Sequence, residues 1–176
     1  MEEDNKISLL MKPLTEFYKE QKYIDEIKSI VNQESIVSLR ILDWFITNYS
    51  KKIKTVISKS EGKDNIDVYT NYKLMLKAFS KKVFDPFCRK NKMVFYYNDT
   101  EFIETSCGQL CFFKWCFENG IIEYVKKNLN TIENDMKNSL KSKKENPEQQ
   151  KKRQPLSVLS CRSISKQHIK YTVKFD

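Results

Sequence analysis

Apolar residues recur along the start of the chain at three- and four-residue steps. Leu14, Phe17, Tyr18, Ile24, Ile27, Ile30 and Val31 form one such stripe, which a 3.6-residue period gathers on one helical face. A short apolar run, Ile7 to Met11, precedes it and is expected to stop at Pro13, which cannot continue a hydrogen-bonded helix. Asn32-Gln33 interrupts the stripe. Ser35 is of the type that caps helices, so a second helix is expected from there to Tyr49. Its inward set is Ile36, Leu39, Leu42, Phe45, Ile46 and Tyr49. Trp44 lies off that stripe and marks a second contact.

The pattern then changes. Ile-Lys-Thr-Val-Ile-Ser at 53–58 is rich in β-branched residues and reads as a strand, with Ile-Asp-Val-Tyr-Thr at 66–70 returning after a loop that holds Gly62. A third helix is expected over 71–81, with Tyr72, Met75, Leu76 and Phe79 inward, and Pro86 forbids helix at Phe84-Asp85. Residues 93–97 and 101–104 flank the polar turn Asn98-Asp99-Thr100 and form a β-hairpin. Thr105 or Ser106 caps the next helix, with Gln109 placed as in a capping box. That helix carries Leu110, Phe113, Trp115 and Phe117 and ends at Asn119-Gly120. One further helix is expected from Ile121 to Met136.

From Lys137 to Gln154 the chain holds almost no apolar residue beyond Leu140, too little to bury a core, and reads as a flexible basic linker. After it, Ile169, Tyr171, Val173 and Phe175 alternate with polar residues as in an amphipathic strand. A lone strand is not stable, so this one must add to a sheet, in the same molecule or in a neighbour. The expected fold class is α+β, with helices packed on small antiparallel β-hairpin sheets. The expected organisation is an N-terminal helical segment over 1–34, an α+β core over 35–136, the linker over 137–155 and the C-terminal strand segment over 156–176.

Charge sharpens this picture. The chain has 176 residues and a net charge of +9, with Lys far commoner than Arg. Residues 1–50 hold 6 basic and 9 acidic side chains, residues 51–100 hold 12 and 5, residues 101–136 hold 3 and 6, and residues 137–176 hold 11 and 3. Two basic blocks thus alternate with two acidic ones, and a basic surplus favours nucleic acid or acidic protein partners. Lys in place of Arg argues against base-specific bidentate contacts. The residues expected to meet polyanions are Lys51, Lys52, Lys81, Lys82, Arg89, Lys90, Lys92, Lys143, Lys144, Lys151, Lys152 and Arg153. Phe79, Phe84 and Phe87, interleaved with several of these, are expected in the core with the basic groups in water.

Reactive chemistry is sparse. With three Gly there is neither a Walker loop nor a dinucleotide-binding loop, and with one His most His-based metal or triad chemistry is excluded. The five cysteines are odd in number. Cys107, Cys111 and Cys116 are expected as small buried helix residues in preference to a zinc site or a nucleophile, since Cys116 sits about 140° around the helix from Cys111. No cofactor is expected. No apolar run reaches the ~20 residues of a membrane span, and the start Met1-Glu2-Glu3-Asp4 is acidic where a secretory signal would be basic.

Four segments carry a resemblance. They are Leu42-Asp43-Trp44-Phe45-Ile46-Thr47-Asn48-Tyr49-Ser50-Lys51-Lys52; Lys77 to Arg89 with Phe84-Asp85-Pro86-Phe87-Cys88-Arg89; Gly108-Gln109-Leu110 with Phe113-Lys114-Trp115 and Glu118-Asn119-Gly120; and Lys166 to Asp176. Together they resemble small basic proteins of nucleocytoplasmic large DNA viruses, of the mimivirus and iridovirus kind. The resemblance implies a context, the virion or the infected cell's cytoplasm, and carries over no functional residue. The expected function is a non-enzymatic viral structural or assembly protein that holds DNA or acidic virion proteins and self-associates through residues 167–175. The alternative is a sequence-independent nucleic-acid-binding factor in viral transcription or replication.

Overall fold

The computed structural model describes residues 2–59, 63–79, 83–89, 91–98 and 100–145. The chain divides between Asn138 and Ser139 into two units, and only residues 139–145 of the second are described.

The first two helices are α1, Glu2–Phe17, and α2, Gln21–Val31. Pro13 lies inside α1, so the expected stop there is not taken. An internal proline costs a helix about 3 kcal/mol. Burial of Leu14 and Tyr18 one turn apart holds the helix past it, and the Thr15 hydroxyl donates to the Met11 carbonyl at 2.9 Å. Both helices feed the same core as the rest of the unit: Leu14, Tyr18, Ile24, Ile27 and Ile30 join Leu42, Phe45, Leu110 and Phe113 in one buried cluster.

The second helical stretch starts three residues later than Ser35. Ser38 is its cap, its hydroxyl accepting from the Ile41 N–H at 3.3 Å. The Ser35 hydroxyl is already engaged in the loop, accepting from the Val37 N–H at 3.2 Å, while the Ser35 N–H donates to the Ser29 carbonyl at 3.0 Å. Helix α3, Leu39–Trp44, runs into a π-helical turn, Phe45–Tyr49, and then α4, Ser50–Ile53. A wide turn weakens the backbone ladder. Here hydroxyls supplement it, Thr47 donating to the Asp43 carbonyl at 2.7 Å and Ser50 to the Ile46 carbonyl at 2.8 Å.

Strands β1, Val56–Lys59, and β2, Lys63–Asp67, form one antiparallel pair, and α5, Val68–Phe79, follows at once. The second pair, the expected hairpin, is β3, Lys92–Tyr96, and β4, Phe102–Ser106, with Tyr96 opposite Phe102. Asn98 closes its turn by accepting from the Thr100 and Glu101 N–H groups at 3.0 and 2.6 Å.

Helix α6, Cys107–Glu118, is buried nearly all round and is the centre of the unit. Ser106 caps it, accepting from the Gln109 N–H at 3.1 Å. The Gln109 side chain does not complete a capping box. It is buried, accepts from the Thr105 hydroxyl at 2.8 Å and donates to the Pro86 carbonyl at 2.8 Å, fastening the 83–89 loop to the helix. Ser106→Ala is expected to destabilise the protein by about 1 kcal/mol through loss of the cap, measurable as a lower urea midpoint.

Gly120 follows α6 at φ +63°, a left-handed conformation that L side chains adopt at a cost. Beyond it the single helix expected over 121–136 is two: α7, Ile121–Lys127, and α8, Leu129–Glu145. The break is at Asn128, whose side-chain amide donates to the Tyr124 carbonyl at 2.9 Å and so competes with the helical ladder. Helix α8 also runs eight residues past Lys137, where composition predicts a linker. Burial is not needed there, because Lys, Glu and Leu are good helix formers and Lys137 pairs with Glu133 one turn back at 3.0 Å. The remainder of the linker, 146–155, and the C-terminal strand lie outside the described residues.

Candidate polyanion-binding face

The ordering of charges separates lysines that are already matched from those that are not. Lys19, Lys22, Lys52, Arg89, Lys114, Lys126 and Lys137 each have a carboxylate within 4 Å. Such exposed pairs contribute little stability, but they cancel local field. Among the described residues, Lys12, Lys28, Arg40, Lys92, Lys127 and Lys141 have no such partner and are spread over other elements, whereas Lys51, Lys54, Lys73 and Lys77, equally without one, collect around α4 and α5.

Their placement follows from the helices. Tyr69, Lys73 and Lys77 are spaced four apart and share one stripe of α5. The last turn of α4 brings Lys51 to the same stripe. Its Nζ stands 5.6 Å from the centroid of the Tyr69 ring, and the Lys73 Nζ stands 5.6 Å from the same ring. One ring therefore faces two ammonium groups, each within cation–π range. Lys54 ends α4 in a left-handed conformation, φ +51°, and is exposed. Asp67, at the start of α5, is turned away to accept from the Thr70 N–H at 2.7 Å.

Of the residues expected to bind polyanions, the structure places Lys51 in this cluster. Lys52, its neighbour, points elsewhere and is bound to Asp135 at 2.5 Å, the carboxylate that also accepts from the Trp44 indole at 3.1 Å. That tie holds the Asp135 carboxyl below the usual range, through the Lys52 hydrogen bond first. Arg89 pairs with Asp85 at 3.6 Å and lies 4.7 Å over the Phe87 ring. Lys92 opens β3 and is exposed. Lys143 and Lys144 fall in the last turns of α8, and Lys81, Lys82, Lys90, Lys151, Lys152 and Arg153 lie outside the described residues. Lys54, Lys73 and Lys77 were not among the expected contacts. The four-residue spacing of Tyr69, Lys73 and Lys77 was the available signal, since α5 begins three residues earlier than its apolar pattern indicates.

The expected core aromatics are only partly as expected. Phe84 is buried against Tyr72, Phe79, Phe112 and Trp115, whereas Phe79 and Phe87 are half-buried. Cys107, Cys111 and Cys116 are all buried. Cys111 stays a thiol because it is hydrogen-bonded to Cys107 and removed from water. Among the described residues no three His, Cys, Asp or Glu side chains converge as a metal site would need.

A second polar cluster had no sequence signal, because its members come from three separate segments. Asp43 of α3 is half-buried and feels both Arg89 and Asp85 of the 83–89 loop, while Tyr72 of α5 feels all three. Burial raises the Asp43 carboxyl, Arg89 opposes the rise and Asp85 adds to it. A carboxyl raised in the folded state contributes its stability below the ordinary value of about 4 and loses it as pH rises through the folded value. Asp43→Asn is accordingly expected to raise stability at neutral pH and to flatten the stability profile just above pH 4. Urea midpoints across that range check it.

These features define a small basic α+β protein built round one buried helix, with a lysine-lined face on α4 and α5. The chain belongs to a family of unknown function, DUF7197, which matches residues 2–171. It is 44% identical over 147 residues to uncharacterized protein L507 of Acanthamoeba polyphaga mimivirus, covering 79% of this chain and 56% of that protein. The chain thus spans about half the length of the curated relative it matches. The resemblance to proteins of large DNA viruses holds. No solved structure matches the chain. Among the described residues no helix is long and apolar enough to cross a membrane.

Proposed function

We propose that the chain is a non-enzymatic viral structural or assembly protein that binds polyanions, DNA foremost, through the α4–α5 face. The observation that carries this reading is the Tyr69 ring flanked by Lys51 and Lys73, with no carboxylate paired to either among the described residues. Two ammonium groups held near one ring repel each other, and an incoming phosphate relieves that repulsion while releasing counterions. The binding is sequence-independent, since lysine meets phosphate as a point charge and reads no base edge. The basic block over 137–176 adds charge, and residues 167–175 add a strand for self-association, in the virion or the host cytoplasm.

Gel retardation of a duplex oligonucleotide tests the reading. Binding at low salt that weakens steeply toward physiological salt is the expected result, and no shift at low salt removes it. Abundance in purified particles separates the structural role from a transcription or replication factor.

A further inference from the structure

A groove of about 970 Å³ lies between β1 and the corner where α6 meets α7, well away in sequence from the lysines of α5. One wall is formed by Val56, Ile57 and Ser58, three consecutive residues of β1. The pairing of β1 with β2 is irregular between Ile57 and Lys59, and three consecutive residues of the strand thus line the groove. Strand β1 pairs with β2 on one side, and among the described residues no strand pairs with the other. Its outer N–H and C=O groups form a template for another extended chain.

The opposite wall is apolar and acidic. Phe117 and Tyr124 line it together with Glu118 and Glu123. Glu118 has only a 3.8 Å pairing with Lys114, and Glu123 has no ion-pair partner among the described residues. Among the described lining residues Lys127 is the one basic side chain, against the two carboxylates Glu118 and Glu123. This is the reverse of the field on the α4–α5 face.

We infer that the groove takes an extended, lysine-bearing amphipathic strand of a partner protein, which pairs with the free edge of β1 and sets its ammonium groups against Glu118 and Glu123. Main-chain pairing supplies affinity, and the carboxylates select a basic strand over an acidic one. The inference does not rest on the polyanion reading of the α4–α5 face.

Fluorescence polarisation with the full chain tests this, using a labelled ten-residue peptide of alternating Lys and Val. The expected result is saturable binding, at least tenfold tighter than for an alternating Glu and Val peptide. Glu118→Lys with Glu123→Lys should weaken the Lys–Val peptide at least tenfold. N-methylation of alternate peptide residues should abolish binding to the unaltered protein, a readout that needs no variant to fold. Equal binding of the two peptides, or an N-methylated peptide that binds as well as its parent, overturns the proposal. So does a dimer in sedimentation that the double variant dissolves, because the groove would then hold a second copy.

Discussion

Exchanging Lys51, Lys73 and Lys77 together for glutamine is expected to cut duplex DNA affinity at low salt about tenfold or more. The slope of log affinity against log salt should also flatten by between about 2 and 3, because each phosphate contact contributes about 0.9 to it. Glutamine keeps the helix propensity of lysine, so α4 and α5 should persist. The three side chains are exposed, and none is ion-paired among the described residues, so the fold has little to lose. Lys52→Gln is the matched control. Its ammonium is bound to Asp135 at 2.5 Å, so the change should leave the salt slope nearly unaltered. A triple variant with the slope of the unaltered protein would show that the α4–α5 lysines are plain solvated surface. A Lys52 variant that loses as much as the triple variant would move the binding face to the other side of α4.

Phe84→Ala should destabilise the protein by about 3–5 kcal/mol, the range for removing a buried aromatic ring and leaving a cavity. The ring is 2% exposed and meets Tyr72, Phe79, Phe112 and Trp115 at centroid distances of 5.5–6.4 Å. Its loss would unseat the 83–89 loop from α6 as well as empty the space. Domains of this size hold roughly 5–15 kcal/mol in total, so the variant should approach the limit of folding. Urea denaturation checks this as a lowered midpoint at unchanged slope. Phe87→Ala is the comparison, because that half-buried ring is covered by the Arg89 guanidinium and should cost far less. Equal losses would mean that Phe84 is no more central than its neighbour.

Local rules read well where they acted alone. The β3–β4 hairpin forms where expected because residues 93–97 and 101–104 flank a polar turn that Asn98 can close. Ser106 caps α6 as expected, since its hydroxyl needs only the backbone three residues on. The misreadings arose where two residues of the same chemistry competed or where packing overrode a local cost. Ser35 and Ser38 are equivalent caps by residue type, and the Ser35 hydroxyl is taken up by the Val37 N–H in the loop before α3. Pro13 ends a helix in isolation, and the buried Leu14 and Tyr18 carry α1 past it. Residues after Lys137 bury little, yet α8 continues through helix-forming residues and the Lys137–Glu133 pair.

By itself the sequence determined the α+β class, the β3–β4 hairpin, the buried character of α6 and the alternation of basic and acidic blocks, because these follow from periodicity, turn chemistry and summed charge, whereas the strand expected over 66–70 ends at Asp67 and gives way to α5. The tertiary structure alone decided which lysines stay unmatched. Lys51 and Lys52 are adjacent and chemically identical, and only the rotation of α4 turns one toward Tyr69 and the other onto Asp135. The gathering of Asp43, Tyr72, Asp85 and Arg89, and the acidic groove along β1, likewise depend on contacts between segments far apart in the chain, which no local pattern encodes.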